Sequence, residues 1–113
     1  MLPQERYGIT GGMAADESIW SVYVVRTVDD LLYTGVSSDV NRRYREHLGG
    51  GPRASKYLKA HKPVALVLAV PIGTRSLAQK VEYHLKRLPR DQKETLIRRQ
   101  TLIYDAENGR ITL

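Results

Sequence analysis

The pattern of apolar positions begins only after residue 18. Residues 1–18 contain three glycines, one proline and no repeating apolar pattern, so we expect a loose N-terminal tail or a cloning remnant there. From Ile19 the sequence becomes rich in β-branched and aromatic residues, and a second apolar run covers residues 31–36, after the turn-like residues 28–30. Two such runs around a turn predict a β-hairpin.

Two helices are predicted after the hairpin. Residues 37–39 (Ser-Ser-Asp) offer side-chain acceptors for free backbone N–H groups, so a helix is expected from about residue 40 to residue 48, before the glycines 49–51. A shorter helix is predicted over residues 54–60. The buried stripe of the first helix is expected to consist of Val40, Tyr44 and Leu48.

The second half of the chain adds a strand and two helices. The apolar run 64–70 has the length of a strand and no polar position, which predicts a strand that is covered on both faces. One helix is expected to begin after Thr74 and to end at Pro89, and a second, basic helix is expected over residues 90–99. The apolar repeat of the longer helix consists of Leu77, Val81, Leu85 and Leu88.

The resulting order of elements, β-β-α-(α)-β-α-α, contains no internal repeat. It indicates one layered α/β (α+β) domain over residues 19–101. Residues 102–113 are expected to form a C-terminal tail that adds a short edge strand or packs loosely. A length of 113 residues, with 42% hydrophobic and 27% charged side chains, agrees with a single globular domain.

Cysteine content and hydropathy narrow the cellular compartment. The chain has no cysteine, which excludes disulfides and thiolate metal sites and fits a reducing environment. The longest uncharged apolar stretch, residues 64–72, is far shorter than the roughly 20 residues that a membrane span requires. The N-terminus also lacks the basic-then-apolar pattern of a signal peptide. We therefore expect a cytoplasmic protein.

The net charge of +6 is unevenly distributed along the chain. Residues 1–40 carry two basic and six acidic side chains, whereas residues 41–100 carry fifteen basic and four acidic ones. Such an asymmetry indicates a polyanionic partner, although a solvated basic surface explains it equally well. The candidates for contacts with backbone phosphates are Arg45, Arg53, Lys56, Lys59 and Lys62.

Three ionisable residues border the predicted apolar stripes. Arg43 and His47 are one turn apart on the first helix and share a face beside its stripe. Glu82 falls on the shoulder of the stripe of the long helix, where its carboxylate is partly desolvated. A carboxylate in that position requires a cation, a metal ion or several hydrogen-bond donors. A salt bridge is the simpler explanation, and a divalent ion is the alternative.

These residues, together with two tyrosines, follow a recognisable spacing. Tyr23 ends a first strand, and residues 33–35 (Tyr-Thr-Gly) end a second strand ten residues later. Arg43 follows Tyr33 by ten residues, His47 lies four residues further on, and Glu82 lies in a later helix. Over residues 19–88 this pattern resembles the GIY-YIG nucleases, most closely their short, single-domain bacterial members. Two positions depart from the family pattern: residues 21–23 read Ser-Val-Tyr, and Val36 stands where some members have lysine.

The resemblance implies a fold and a reaction. The fold is a three-stranded antiparallel sheet flanked by helices. The reaction is hydrolysis of nucleic-acid phosphodiesters, with DNA as the expected substrate and one Mg²⁺ or Mn²⁺ ion bound by Glu82 as cofactor. Arg43 would neutralise the scissile phosphate with its planar guanidinium. Gly35 would lie where the backbone comes close to the substrate.

The resemblance also implies roles for the remaining residues of the site. Tyr23 is the preferred general base, with its pKa lowered by the metal ion, by Arg43 and by the surrounding positive charge. Tyr33 would hydrogen-bond the phosphate or the attacking water, and the roles of the two tyrosines could be exchanged. His47 would accept or relay a proton near them.

One geometric condition follows from the spacing of the two tyrosines. Directly opposed residues of an antiparallel pair point to the same face, and Tyr23 and Tyr33 are both odd-numbered. They share a face only if the hairpin loop has an odd number of residues. We therefore predict a longer, odd loop in place of a two-residue turn at Asp29 and Asp30.

Several functions are compatible with these features. The first hypothesis is a DNA endonuclease with little sequence specificity that serves DNA repair or processing, because a small domain has little surface for reading bases. The second is a nucleic-acid-binding module of the same fold that cleaves weakly or relies on a protein partner for specificity. Activity on RNA is a third reading.

Overall fold

The computed structural model describes residues 18–113. The tail predicted over residues 1–18 therefore lies outside the described residues, except for Ser18. Three strands form the main sheet: β1 (Trp20–Thr27), β2 (Leu32–Ser37) and β3 (Pro63–Gly73). All pairings are antiparallel and the strand order is β2-β1-β3, so β1 lies in the centre.

Four helices and a second small sheet complete the described part of the chain. The helices are α1 (Val40–Gly49), α2 (Lys56–Ala60), α3 (Arg75–Arg87) and α4 (Arg90–Arg99). Two short strands, β4 (Ile103–Tyr104) and β5 (Ile111–Thr112), pair with each other. The predicted fold class, a mixed α/β (α+β) domain with a three-stranded antiparallel sheet flanked by helices, is confirmed. No helix within residues 18–113 is long and apolar enough to cross a membrane.

The hairpin between β1 and β2 has the predicted odd loop. Val25 is paired with Tyr33, and Arg26 with Leu32, so five residues lie between the last pair. Thr27 closes the loop: its Oγ1 accepts the Leu31 N–H at 2.8 Å, and its carbonyl accepts the Asp30 N–H at 2.9 Å. The Thr27 N–H also donates to the Leu31 carbonyl at 2.9 Å, so residues 28–30 form a three-residue turn within the loop, in which Asp30 adopts a left-handed φ of 63°. Tyr23 and Tyr33 consequently lie on the same face of the sheet.

The alternation of β1 divides the core between the two faces of the sheet. Val22 and Val24 pack with the apolar residues of α3 and α4, in a cluster that includes Val81, Leu85 and Leu96. Tyr23 and Val25 point to the opposite face. The residues that pack with them there are Tyr33, Val40, Tyr44, Leu58 and Leu66.

The prediction that β3 is covered on both faces is wrong. β3 is an edge strand in which Leu68 is the fully buried residue, whereas Val64 is 55% exposed and Ala69 is also exposed. A continuous apolar run is typical of central strands, but β1 occupies the centre of this sheet. Pro63 and Pro71, which lack an N–H donor, are tolerated because the strand lies at an edge.

The predicted stripe of α1 is correct at two of its three positions. Val40 and Tyr44 pack against the sheet, but Leu48 is 52% exposed and His47 is buried in its place. A histidine can occupy this interior position because polar groups of the neighbouring elements reach both of its ring nitrogens. Asp39 caps the helix by accepting the Arg42 N–H, and Gly50 ends it with a left-handed φ of 66°.

Helices α3 and α4 cover the other face as the apolar repeat predicted. Thr74 caps α3, and Ala78, Val81 and Leu85 are its buried residues. Glu94 of α4 forms a two-pronged ion pair with Arg26 of β1, with distances of 2.7 and 2.9 Å. Hydrogen bonding by Arg26 is the main reason why the pKa of Glu94 falls to about 2. The pair connects α4 to the central strand.

The C-terminal residues 102–113 pack on the domain and do not extend the main sheet. Leu102 is buried in the α3/α4 core, and the Tyr104 hydroxyl donates to the Ile72 carbonyl at 3.0 Å. Gly109 has a φ of 74°, and a Cβ there would lie 2.7 Å from Lys80 Cβ on α3. The hairpin of β4 and β5 therefore approaches α3 as closely as a glycine allows.

Candidate active site

Tyr23 occupies the middle of β1, directly opposite Gly35 of β2. Its ring lies across the glycine: a Cβ at position 35 would be 2.5 Å from the Tyr23 hydroxyl oxygen and 2.6 Å from Cζ. Gly35 is itself buried and its backbone does not adopt a positive φ. In the protein alone, the close approach at Gly35 is made by the Tyr23 ring, and contact of this glycine with a substrate stays a prediction.

Tyr23, Tyr33 and His47 form one cluster of rings, which we call the tyrosine–histidine cluster. The Tyr23 hydroxyl and His47 Nε2 are 2.9 Å apart in a buried hydrogen bond. The centroids of Tyr33 and His47 are 5.6 Å apart with the rings edge to face, and those of Tyr23 and Tyr33 are 6.4 Å apart. Three consecutive elements, β1, β2 and α1, therefore meet at this point.

The hydrogen bonds of His47 determine which of its nitrogens carries the proton. The Ser55 backbone N–H donates to His47 Nδ1 at 3.3 Å, and an amide N–H cannot act as acceptor. In the neutral ring the proton then resides on Nε2, which donates to the Tyr23 oxygen. Burial, followed by the charge of Arg43, lowers the pKa of His47 and favours this neutral form. In this arrangement His47 donates to Tyr23 and does not accept its proton.

The environment of Tyr23 differs from the prediction for a general base. The side chain is 1% exposed, and burial is the main reason why its pKa rises to about 12, with a further contribution from Tyr33. Arg43 acts in the opposite direction but does not outweigh burial. In the protein alone, without the metal ion that the prediction included, positive charge does not lower this pKa, because desolvation of the phenolate is the larger effect.

Arg43 is half-buried on α1, one turn before His47. Its Nη1 donates to Glu46 Oε1 at 3.0 Å and to the Arg53 carbonyl at 2.5 Å. The segment between α1 and α2 therefore contacts both predicted site residues of α1. The Arg53 carbonyl accepts from Arg43, and the Ser55 amide donates to His47. This arrangement holds the guanidinium beside the tyrosine–histidine cluster.

Glu82 lies half-buried on α3 and forms an ion pair with Lys86, with Oε2 3.3 Å from Nζ. Its charge also contributes, after burial and Tyr33, to the raised pKa of Tyr23. No three His, Cys, Asp or Glu side chains come together as a metal site within residues 18–113. One carboxylate nevertheless suits Mg²⁺ or Mn²⁺, because these ions keep several waters and take further oxygen ligands from a substrate phosphate. Glu82 is the residue that would hold such an ion.

The basic residues predicted to contact phosphates lie around the loop and α2. Arg45 and Arg53 are exposed, and Lys56 and Lys59 extend from α2 into solvent. Lys59 and Lys62 line a cavity of about 430 Å³ beside His47 and the end of α1. Their contacts with nucleic acid stay a prediction.

Three further residues lie close to the site but are not among those predicted from the sequence: Tyr57, Lys86 and Lys93. Together with Tyr33 they line a second cavity, of about 350 Å³, beside the tyrosine–histidine cluster. An aromatic residue between lysines, as in Lys56-Tyr57-Leu58-Lys59, is a pattern that could have indicated Tyr57. The two lysines come from different helices, so their proximity is visible only in the folded chain.

Comparison with known proteins identifies the family of this site. The family model of the GIY-YIG catalytic domain matches residues 19–95, which include all five residues predicted for catalysis. The chain belongs to the GIY-YIG family. GIY-YIG domains are nuclease domains, so the resemblance stated from the sequence is confirmed at the level of the family.

Curated relatives of this GIY-YIG chain are short bacterial proteins. The UPF0213 protein YhbQ of Escherichia coli is 44% identical over 78 residues, which cover 69% of this chain and 76% of the relative. The YhbQ protein of Salmonella arizonae is 43% identical over 81 residues, covering 72% of this chain and 79% of the relative. No solved structure matches this GIY-YIG chain.

Proposed function

We propose that this GIY-YIG domain is an endonuclease that hydrolyses DNA phosphodiesters with one divalent ion and little sequence specificity. The observation that carries the proposal is the tyrosine–histidine cluster, in which the Tyr23 hydroxyl is 2.9 Å from His47. Arg43 and Glu82 lie close enough to influence the pKa of that hydroxyl, after the larger effects of burial and of Tyr33. Phosphoryl chemistry requires this combination of a cation, a carboxylate and groups that can transfer protons.

The reaction would proceed by attack of water on phosphorus: a new P–O bond forms, the bond to the 3′-oxygen breaks, and the leaving 3′-oxygen takes a proton from solvent. Arg43 would exchange its contact with Glu46 for the scissile phosphate and stabilise the charge on the phosphate oxygens. When bound at Glu82, Mg²⁺ or Mn²⁺ supplies Lewis-acid stabilisation of the leaving oxygen.

We assign different roles to Tyr23 and Tyr33 because they differ in burial. Tyr33 is partly exposed, so we assign it to the attacking water, whose proton it accepts and passes to solvent. Tyr23 is buried and receives the Nε2–H of His47, which leaves its own hydroxyl hydrogen free to donate towards the bound phosphate. This is the exchanged form of the roles expected from the sequence, and the high pKa of Tyr23 supports it.

The substrate class follows from charge and size. The exposed basic residues of α1, α2 and the loop between them would contact phosphates without reading bases. We place the activity in the cytoplasm, in DNA repair or processing, with a protein partner as a possible source of specificity.

A second candidate is a nucleic-acid-binding module with weak cleavage or an RNA substrate. The ion pairs that already engage Arg43 and Glu82 favour weak cleavage by the isolated chain.

The direct test is cleavage of supercoiled plasmid, single-stranded DNA and RNA, each with Mg²⁺, with Mn²⁺ and with a chelator. Wild type is compared with Arg43→Ala and Glu82→Ala, and with Arg98→Ala and Glu107→Ala as exposed, charge-matched controls. We expect metal-dependent cleavage by wild type and by both controls, and loss of cleavage in the two site variants. Equal cleavage by all five proteins would refute the site. Binding without cleavage would support the second candidate.

A further inference from the structure

A second cavity opens beside the tyrosine–histidine cluster, between β2, α2 and the facing sides of α3 and α4. Its volume is about 350 Å³. Tyr33 belongs both to the cavity and to the cluster, so whatever occupies the cavity lies next to the tyrosine–histidine cluster. The residues that line it are Leu32, Tyr33, Thr34, Tyr57, Lys86 and Lys93.

Tyr57 gives the cavity an aromatic wall that is exposed yet held in place. Its ring stacks on Tyr33, with centroids 5.8 Å apart and planes at 25°, and 40% of the residue remains exposed. His61 packs against Tyr57 at 4.6 Å, and His61 Nδ1 is 2.7 Å from Asp29 Oδ2. The hairpin loop and β2 therefore both restrain a ring that is not required to fill the core.

The charged part of the lining is entirely cationic. Lys86 and Lys93 line the cavity from two different helices, and none of the lining residues is acidic, although Lys86 also forms the ion pair with Glu82. Lys93 is half-buried, and no carboxylate within residues 18–113 forms an ion pair with it. Because a partly desolvated ammonium without a counter-charge favours an anionic ligand, the cavity suits a molecule that combines an aromatic ring with a negative charge.

We propose that this cavity is a subsite for one unstacked nucleotide adjacent to the scissile phosphate, with its base against Tyr57 and its phosphate between Lys86 and Lys93. The inference rests on the proposed nuclease function and specifies what that site binds. The cavity lies at the lower end of the size range of ligand pockets, which fits one nucleotide better than a base pair. Stacking accepts any base, so the subsite recognises an unpaired or extruded nucleotide without selecting a sequence.

The test is equilibrium binding in the presence of a chelator, which separates binding from cleavage. Single-stranded DNA and RNA oligonucleotides of about 12 nucleotides, within the site sizes of single-strand binders, carry one abasic position that is moved along the strand. For wild type we expect one position at which loss of the base weakens binding roughly 5- to 100-fold. For Tyr57→Ala the intact oligonucleotide should bind as weakly as the abasic one. Comparison of the DNA and RNA oligonucleotides shows whether the sugar affects the affinity.

Matched variants separate stacking from damage to the fold. Tyr57→Phe retains the ring and should behave as wild type, and so should Tyr83→Ala, which removes an exposed tyrosine of α3 outside the cavity. Lys93→Gln should reduce the salt dependence of binding by about one phosphate contact. A full abasic penalty in Tyr57→Ala, or an unchanged salt dependence in Lys93→Gln, would overturn the subsite.

The outcome for wild type distinguishes this inference from the proposed function. If wild type binds and cleaves but shows no position-specific abasic penalty, the subsite alone is overturned. If wild type neither binds nor cleaves any of these nucleic acids, the proposed function fails and the subsite fails with it.

Discussion

The two faces of the central strand β1 contrast in chemistry although their residues alternate along the same eight positions. On one face Val22 and Val24 pack with aliphatic residues of α3 and α4. On the other face Tyr23 meets Tyr33 and His47, with Arg43 at the border. The face of Val22 and Val24, which α3 and α4 cover (the α3/α4 face), thus contributes burial of apolar area. The face of Tyr23, which α1 and α2 cover (the α1/α2 face), holds polar groups whose desolvation is offset by hydrogen bonds. Most of the residues proposed for chemistry therefore lie on the opposite side of β1 from the aliphatic core, and Glu82 of α3 is the exception.

The largest expected effect is a loss of stability on the α3/α4 face. Leu85→Ala should lower the free energy of unfolding by about 2–5 kcal/mol, because Leu85 is fully buried and its removal leaves a cavity. Urea denaturation measures this loss, with the half-exposed Leu113→Ala as control. Cleavage per folded molecule should stay at the wild-type level. A large loss of activity in fully folded protein would contradict the division between the faces.

A loss of activity without loss of stability is expected on the α1/α2 face. Arg43→Lys should reduce kcat about 100-fold, because lysine cannot reproduce the planar pairing of guanidinium with phosphate. The exposed neighbour Arg42→Lys is the control on the same helix. Steady-state kinetics and urea denaturation measure the two quantities. Wild-type kcat in Arg43→Lys would remove Arg43 from the proposed mechanism.

A smaller effect is expected from the amide that sets the tautomer of His47. Ser55 has a φ of −66°, which proline matches, so Ser55→Pro removes the N–H without a backbone change at that residue. Both Ser55→Pro and Ser55→Ala lose the side-chain cap of α2, at a cost of about 1 kcal/mol. Only Ser55→Pro should shift the ¹⁵N resonances of His47 away from the Nε2–H form and reduce kcat. Identical spectra in the two variants would show that the amide does not control the tautomer.

The smallest effect is a pH dependence on the α3/α4 face. The pKa of Glu94 is lowered from 4.5 to about 2, mainly by hydrogen bonding with Arg26. Stabilisation by this pair is therefore complete above about pH 4.5 and is lost as the pH falls through about 2. Glu94→Gln should cost no more than about 1 kcal/mol at pH 7, because the pair is partly solvent-exposed. Urea denaturation at pH 7 and at pH 2 should show that the difference in free energy of unfolding between wild type and Glu94→Gln disappears at pH 2. If the difference persists at pH 2, it results from packing of the side chain and not from its charge.

The sequence predicted the elements well where a local rule applies. Tyr23 and Tyr33 are ten residues apart, so a shared face requires an odd loop, and the register confirms it. The four-residue repeat of α3 and its cap at Thr74 were also correct, because helix periodicity and capping depend on neighbouring residues. The family could likewise be identified from the spacing of a few residues.

The prediction failed where a residue's environment depends on distant partners. The apolar run of β3 cannot show whether a strand lies at the centre or at the edge of a sheet, because strand order is a property of the whole fold. On α1, Leu48 is the more hydrophobic candidate for burial, yet His47 is buried because Tyr23 and Ser55 supply hydrogen bonds. The raised pKa of Tyr23 has the same origin, since burial outweighs the charges that the sequence makes visible.

By itself, the sequence determined the order of the elements and the membership in a nuclease family, since these depend on periodicity and spacing. The shared face of Tyr23 and Tyr33 depended on an odd loop, which the register confirmed. The tertiary structure alone decided that His47 donates to Tyr23 and that the Tyr23 ring packs against Gly35, where a side chain would clash with it. It also decided that Tyr57 lines a cavity with Lys86 and Lys93. The physical reason is that hydrogen-bond direction, desolvation and cavity shape arise from groups far apart in the chain, which only the packed domain brings together.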